Sequence, residues 1–463
     1  MTLNDRLQHL STAFLISFGL VGLALFYWSL VRGPVLESRA DNPRLVEEAR
    51  RIERGPILDR NGVVLAETVG VPGGFRRLYH APTTPAVGYY SLRHGVAGIE
   101  ASYDSQLGGR DRNPWQAWWE ALIHRHTIGL AVQLTLDAER QTLADAALGD
   151  HVGSVVMLDA TSGDILVLSS QPSYDPNLLD REFERLTTDA RGQLINRATQ
   201  ATYQPGTAIQ PLVLAAGLEY GLVEMGGVVD HLIGAVWVGD LAIQCAVWPY
   251  SYEPSLVEAM RYACPAPFVD LALALGGADL GEAFHRFGLT DSLELPLAAA
   301  RASVPVLTST EDLVAEATGQ GAFTVSPLQL AWAMSAIAND GMRTPLRLVQ
   351  RIGNDERGWE VVVPASREAY RSMEPETARE VARAMTGALP VQIGIESPNR
   401  IAAHIGLAVA GPRDTYNSWF VGFAPPTAPA SMSRYLVVVL LERTDDVAAA
   451  AEIGMQLLGT VDR

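Results

Sequence analysis

NRATQATYQPGTAIQP, residues 196–211, is the stretch on which the fold turns. Pro205-Gly206 breaks the chain, Thr207 follows, and the apolar run beyond Ile209 predicts a helix. A hydroxyl in the first turn of a helix shares a face with the residue three positions on. That spacing is how a nucleophile is set beside its base. Here the second residue is Gln210, whose amide has no useful basicity. The stretch is either a working hydroxyl nucleophile with its base elsewhere or an active-site shape without the chemistry.

Working outward, the 463-residue chain is long enough for about two or three domains with substantial cores. A net charge of −17 argues against nucleic-acid binding, which calls for a basic face. The chain contains no lysine, so all 35 basic residues are arginines. No lysine can therefore serve as general base, Schiff base or phosphate clamp, and arginine cannot replace it as a base. Cys245 and Cys264 are too few for a metal site. A disulfide between them and a pair of buried thiols both remain open. No metal or cofactor is expected.

Leu10 to Val31, LSTAFLISFGLVGLALFYWSLV, carries no charge. As a helix it would span about 33 Å, enough for a bilayer core. Tyr27 and Trp28 suit the interface, and no small-residue cleavage site is evident, so an uncleaved anchor is expected. A polar Arg/Glu-rich connector, partly helical, is expected over residues 32–50. RGPILDRNGVVLAET, residues 54–68, places Asn61-Gly62 between two β-rich runs and predicts a hairpin. The tryptophans at 115, 118 and 119 suggest a packed satellite or a membrane-proximal surface. Beyond a boundary near 127–132, the pattern predicts a second hairpin turning at Thr161–Asp164 and helices over 207–221, 254–276 and 326–340. A buried strand is expected over 433–443 and a last helix over 447–458. Strands at both ends of a domain with helices between them predict an α+β layer structure.

Six ordered blocks carry a family resemblance: RGPILDRNGVVLAET, LTLDAERQ, VVMLDATSGDILVLSSQPSYDPN, NRATQATYQPG, GQGAFTVSPLQLAWAMSAIANDG and WFVGFAP. With the single anchor, they resemble class B penicillin-binding proteins of the short actinobacterial type, and YYSLRHGVAGIEASYD resembles the segment those proteins carry before the transpeptidase domain. The resemblance covers about residues 50–460. It implies an α+β transpeptidase fold like that of the serine β-lactamases, an antiparallel sheet flanked by helices. It also implies this organisation: cytoplasmic tail 1–9, transmembrane anchor 10–31, membrane-proximal pedestal or dimerisation-like domain 32–128 and transpeptidase-like domain 129–463. The family cross-links peptidoglycan stem peptides outside the cell membrane through a serine that β-lactams acylate. Its motifs are Ser-x-x-Lys, Ser-x-Asn and Lys-Thr-Gly.

Each motif is degenerate here. The first falls on Thr207 and Gln210; Thr-x-x-Gln is also a helix capping box, which is the expected role. The second falls on Ala263-Cys264-Pro265, where Ala263 lacks the relay hydroxyl and Pro265 lacks the amide that would hold substrate. The third is set by matching VAGPRDT, Val409–Thr415, ahead of WFVGFAP, which puts Pro412, Arg413 and Asp414 on the motif, with Arg413 paired to Asp414 rather than offered to a ligand; a shifted register puts Val409-Ala410-Gly411 there, and neither supplies a lysine. His124 and His126 stand two apart and cannot share a helix face. None of His9, His80, His94, His151, His231, His285 and His404 lies in a motif that pairs it with Thr207.

The expectation is a membrane-anchored pseudoenzyme of peptidoglycan synthesis, with no catalytic residue in working order. The resemblance implies a SEDS-type glycan polymerase, or another cell-wall synthesis protein, as partner through the anchor and pedestal. A transpeptidase using Thr207 as nucleophile and a non-covalent peptidoglycan-binding module are the alternatives.

Overall fold

The computed structural model describes residues 3–28, 52–72, 74–80, 85–111, 127–249, 254–303, 305–355, 357–364, 368–394, 401–411, 415–426 and 432–460. The connector 32–50, the tryptophans at 115, 118 and 119, His124, His126 and Pro412–Asp414 lie outside the described residues, as does the end of the expected anchor.

Helix α1 (Leu3–Phe26) is exposed along its described apolar side chains. Its His9–Phe26 window is long and apolar enough to cross a membrane, with a mean hydropathy of 1.9. Strands β1 (Ile57–Leu58) and β2 (Val64–Val71) form the hairpin expected at Asn61-Gly62. Asp59 fixes its turn by accepting from the Asn61 and Val63 amides, each at 2.7 Å. Strands β3 (Gly74–Tyr79) and β4 (Ala131–Leu134) extend this sheet, followed by helix α2 (Ala138–Leu148).

The body continues with β5 (Gly153–Asp159) and β6 (Ile165–Gln171), the second expected hairpin. Helix α3 (Gln210–Glu219) follows, and then α4 (Leu256–Arg261) and α5 (Ala266–Arg286). One helix was expected over 254–276; the left-handed φ of Ala263 (48°) and the missing amide of Pro265 divide it in two. Helix α6 (Pro327–Ala338), strands β7 (Val349–Asn354) and β8 (Gly358–Val361), and helix α7 (Pro375–Met385) lead to the last strands. These are β9 (Ala402–Val409), β10 (Tyr416–Ala424) and β11 (Tyr435–Leu441), closed by helix α8 (Val447–Leu458).

The main sheet has five antiparallel strands in the order β6-β5-β11-β10-β9. Both of its faces are covered. Val155, Met157, Val437 and Val439 pack with Leu148 and Leu457 in one cluster, while Val156, Leu158, Leu436 and Val438 pack with Leu330 and Met334 in the other. Alternate residues of a strand point to opposite faces, so a strand apolar at every position demands two layers of cover. Burying each Val or Leu contributes about 1.5–3 kcal/mol. This is the α+β architecture expected, with β9 left at the sheet edge.

The second sheet has six strands in the order β8-β7-β4-β1-β2-β3. It joins strands from before residue 80 to β7 and β8, beyond residue 348, so it runs across the boundary expected at 128/129. Beneath it lies a buried ionic cluster. Glu100 is 0% exposed and accepts from Arg54 Nη2 at 2.8 Å and from Arg77 Nε at 2.6 Å. Arg54 also reaches Asp104 at 2.6 Å, and the Tyr79 hydroxyl lies 3.3 Å from Glu100. Burial and the Glu100 charge push the Tyr79 phenol far up, so it stays a donor.

Candidate functional site

Pro205-Gly206 brings three segments together. Gly206 has φ 57°, a region costly for residues with a Cβ, and its amide donates to Gly319 O at 2.9 Å. A Cβ on Gly206 would stand 2.2 Å from Leu407 O, so only glycine lets this turn lie against β9. A tight turn over Gly206–Ile209 precedes α3 and presents Thr207, 8% exposed, to a cleft of about 380 Å³. Ile243, Ala263, Gln320, Leu407, Tyr416 and Asp445 also line the cleft.

The capping box expected of Thr207 and Gln210 is absent, because neither the Gly206 turn nor α3 has a side-chain cap. The Thr207 hydroxyl turns across to β9 and accepts from the Leu407 amide at 3.3 Å. The Gln210 side chain points into the protein, where it is 0% exposed. Tertiary packing has overridden a local cap that sequence spacing favoured.

Gln210 meets a residue the sequence motifs passed over. Gln392 Nε2 donates to Met260 O at 2.9 Å and lies 3.2 Å from His404 Nδ1. An amide nitrogen can only donate, so His404 Nδ1 accepts and its Nε2 carries the proton. That Nε2 then donates to Gln210 Oε1 at 3.1 Å. His404 is 0% exposed, and burial lowers its pKa to about 4 against a smaller opposing effect of the Thr207 backbone. The imidazole is therefore neutral near pH 7. Gln210 Nε2 and Gln392 Oε1 have no hydrogen-bond partner among the described residues. The chain Gln392–His404–Gln210 is a buried polar network without a charge near pH 7.

The other expected positions divide. Ala263 lines the cleft beside Thr207 and offers no hydroxyl. Cys264 is buried and joined to Cys245 by a disulfide, which closes the question the sequence left open. Pro265 precedes the first turn of α5, where its missing amide is tolerated. Pro412, Arg413 and Asp414 lie outside the described residues, and the segment that faces Thr207 is His404-Ile405-Gly406-Leu407. The usable sequence signal was Gly406 within the apolar strand IAAHIGLAV, since a strand glycine marks close backbone approach. A Cβ there would stand 2.4 Å from Ala208 N. Among the described residues, no cluster of His, Cys, Asp or Glu could hold a metal.

Residues 153–459 match the penicillin-binding-protein transpeptidase domain, and residues 54–132 match the dimerisation domain of penicillin-binding protein A. The chain is 30% identical to the peptidoglycan D,D-transpeptidase PbpA of Mycolicibacterium smegmatis, over 89% of each protein. The corresponding Mycobacterium tuberculosis protein is 29% identical over 89% of each. The crystal structure of M. tuberculosis PBPA superposes with a TM-score of 0.79 at 28% identity, covering 89% of this chain and 100% of that one. A D,D-transpeptidase domain from Eggerthella lenta gives 0.75 at 26% identity, covering 89% and 99%.

Proposed function

This chain belongs to the penicillin-binding-protein transpeptidase family, and from that premise we propose that it is a membrane-anchored pseudoenzyme of peptidoglycan synthesis. The observation that carries this is the neutral Gln392–His404–Gln210 network. The relatives are named D,D-transpeptidases, and that reaction needs a base to take the proton of the attacking hydroxyl. Gln210 stands where the base of Ser-x-x-Lys would be, and an amide accepts no proton near neutral pH. We place the third motif on His404-Ile405-Gly406 instead of Pro412–Asp414, which puts His404 at its lysine position. The Nε2 proton of His404 is committed to Gln210. The ring is also closed off from solvent, and its burial disfavours the imidazolium that taking a proton would create. Thr207 further crowds attack with its β-methyl, and Ala263 removes the proton relay to a leaving group.

The parts that need no catalysis are kept. The helix long enough to span a membrane and the buried Arg54–Glu100–Arg77 cluster support a role for the membrane-proximal region as a binding surface. Its partner in this proposal is a SEDS-type glycan polymerase, which the protein scaffolds or regulates from the outer side of the cell membrane. Fluorescent penicillin tests the catalytic half: no covalent band is expected, and a band lost in Thr207→Ala would overturn the pseudoenzyme. Co-purification of the full-length protein from membranes tests the other half. A polymerase should be retained by the intact chain and lost on deletion of residues 1–31.

A further inference from the structure

We propose that Gln320 closes the cleft from within: its side-chain amide occupies the free edge of β9, so an extended peptide can enter only after that side chain swings out. This rests on the family role proposed above and adds a residue that governs access. Strand β9 is the last in its sheet, and its outer edge presents Leu407 N, Leu407 O and Val409 N to the cleft. An unpaired strand edge is a template for a further strand. All three groups are already engaged. Thr207 Oγ1 accepts from Leu407 N at 3.3 Å. Gln320 Nε2 donates to Leu407 O at 2.8 Å, and Gln320 Oε1 accepts from Val409 N at 2.9 Å.

A primary amide offers the same donor and acceptor as a backbone peptide unit. Gln320 therefore fills the acceptor and the donor that neighbouring peptide groups of an added strand would use. A side-chain amide also covers a strand edge in the N-terminal sheet. Asn177 Oδ1 accepts from Tyr79 N at 3.0 Å and Asn177 Nδ2 donates to Tyr79 O at 2.9 Å, on the outer edge of β3. That edge lies away from the cleft, whereas Gln320 lines it.

The backbone of Gln320 is held independently of its side chain. Its amide donates to Ala315 O at 2.8 Å, and its carbonyl accepts from Gln204 Nε2 at 3.1 Å. The preceding Gly319 has φ 61°, and a Cβ there would stand 2.1 Å from Gly206 O. The loop is thus locked to the Thr207 turn, and opening requires only rotation of a half-buried side chain. The ligand this edge would take is an extended peptide, donating to Leu407 O and accepting from Val409 N.

The test uses the full chain in detergent micelles, a synthetic stem pentapeptide ending in D-Ala-D-Ala, and the variants Gln320→Ala and Gln320→Glu. In Gln320→Ala, the Val409 amide should exchange with solvent about tenfold faster or more, while the Leu407 amide stays as protected as before. Calorimetry should show the pentapeptide binding about tenfold more tightly than to the unaltered protein. Gln320→Glu keeps an acceptor for Val409 but sets a carboxylate oxygen against Leu407 O. Its Val409 amide should remain protected while its pentapeptide affinity lies between the other two. Unchanged Val409 exchange in folded Gln320→Ala would overturn the proposal, and so would faster exchange without a gain in affinity. Penicillin labelling of the same samples separates the two proposals. A covalent adduct would defeat the pseudoenzyme and leave the closed edge standing, whereas unchanged exchange defeats the closed edge alone.

Discussion

Two buried polar clusters of this protein have opposite constructions. Under the N-terminal sheet, Arg54 and Arg77 converge on the carboxylate of Glu100 with all three side chains nearly inaccessible. Behind the cleft, Gln210, His404 and Gln392 are as deeply buried and carry no charge at neutral pH. Charges are stable in a protein interior only when each has its partner, because an ion left alone keeps its desolvation penalty and loses its compensation. In the N-terminal cluster each charge has an opposite partner. The chain has no lysine to place behind the cleft, and neutral amides and an imidazole pack there. The network behind the cleft is thus built from neutral groups, whereas the N-terminal cluster is built from paired charges.

The largest effect should come from breaking the charged cluster. Glu100→Ala leaves Arg54 and Arg77 buried with much of their compensation gone, although Arg54 retains Asp104 at 2.6 Å. Truncating one partner of a buried pair costs about 3–5 kcal/mol. Denaturant unfolding of the full chain should show that loss. A loss below about 1 kcal/mol would mean the cluster is hydrated and the contrast with the cleft is false.

Much of this contrast was legible in the sequence, and the part that was not has a physical cause. The hairpins at Asn61-Gly62 and Thr161–Asp164, the final helix and the two-layer burial of β5 and β11 follow from local turn chemistry and apolar periodicity. The absence of lysine already excluded the family's base. His404 was missed because strand residues acquire their partners from other segments. Gln210 lies 194 positions from it in the chain, and no local spacing encodes that pairing. The register set on Val409–Thr415 followed the short run Val-Ala-Gly, while contact with Thr207 belongs to Leu407, earlier in β9. The capping box failed for a related reason: Thr207 has an alternative donor, Leu407 N, that only tertiary structure supplies.

A pH measurement sharpens the comparison at the neutral cluster. The His404 pKa is lowered to about 4 in the folded protein, against about 6.5 for an unperturbed histidine. Between those values the unfolded chain binds more protons, so this group's contribution to stability falls as pH drops from about 6.5 to 4. Asp145 has the opposite sign. Burial raises its carboxyl to about 6 despite hydrogen bonds from Ser169 and Gln141, so the folded state binds more protons and this group stabilises as pH falls through 6. The two slopes oppose each other in the unaltered protein, so a flat profile alone would be misleading. The stability difference between the unaltered protein and His404→Gln should shrink by about 2 kcal/mol between pH 7 and 4.5. A difference independent of pH would place a charged or solvated imidazole behind the cleft.

The smallest effect belongs to Thr207. Its hydroxyl accepts from the Leu407 amide on the cleft wall, and a typical neutral hydrogen bond contributes about 1 kcal/mol. Thr207→Val keeps the β-branched shape and removes only that acceptor, so a loss of about 1 kcal/mol is expected in thermal unfolding. In a working transpeptidase the same change would abolish acylation, a loss of many orders of magnitude in rate. Here it should leave a penicillin-labelling blank as blank as before. A small stability change with no functional change is what a residue retained for packing gives, and this pairing of readouts separates it from a nucleophile held in reserve.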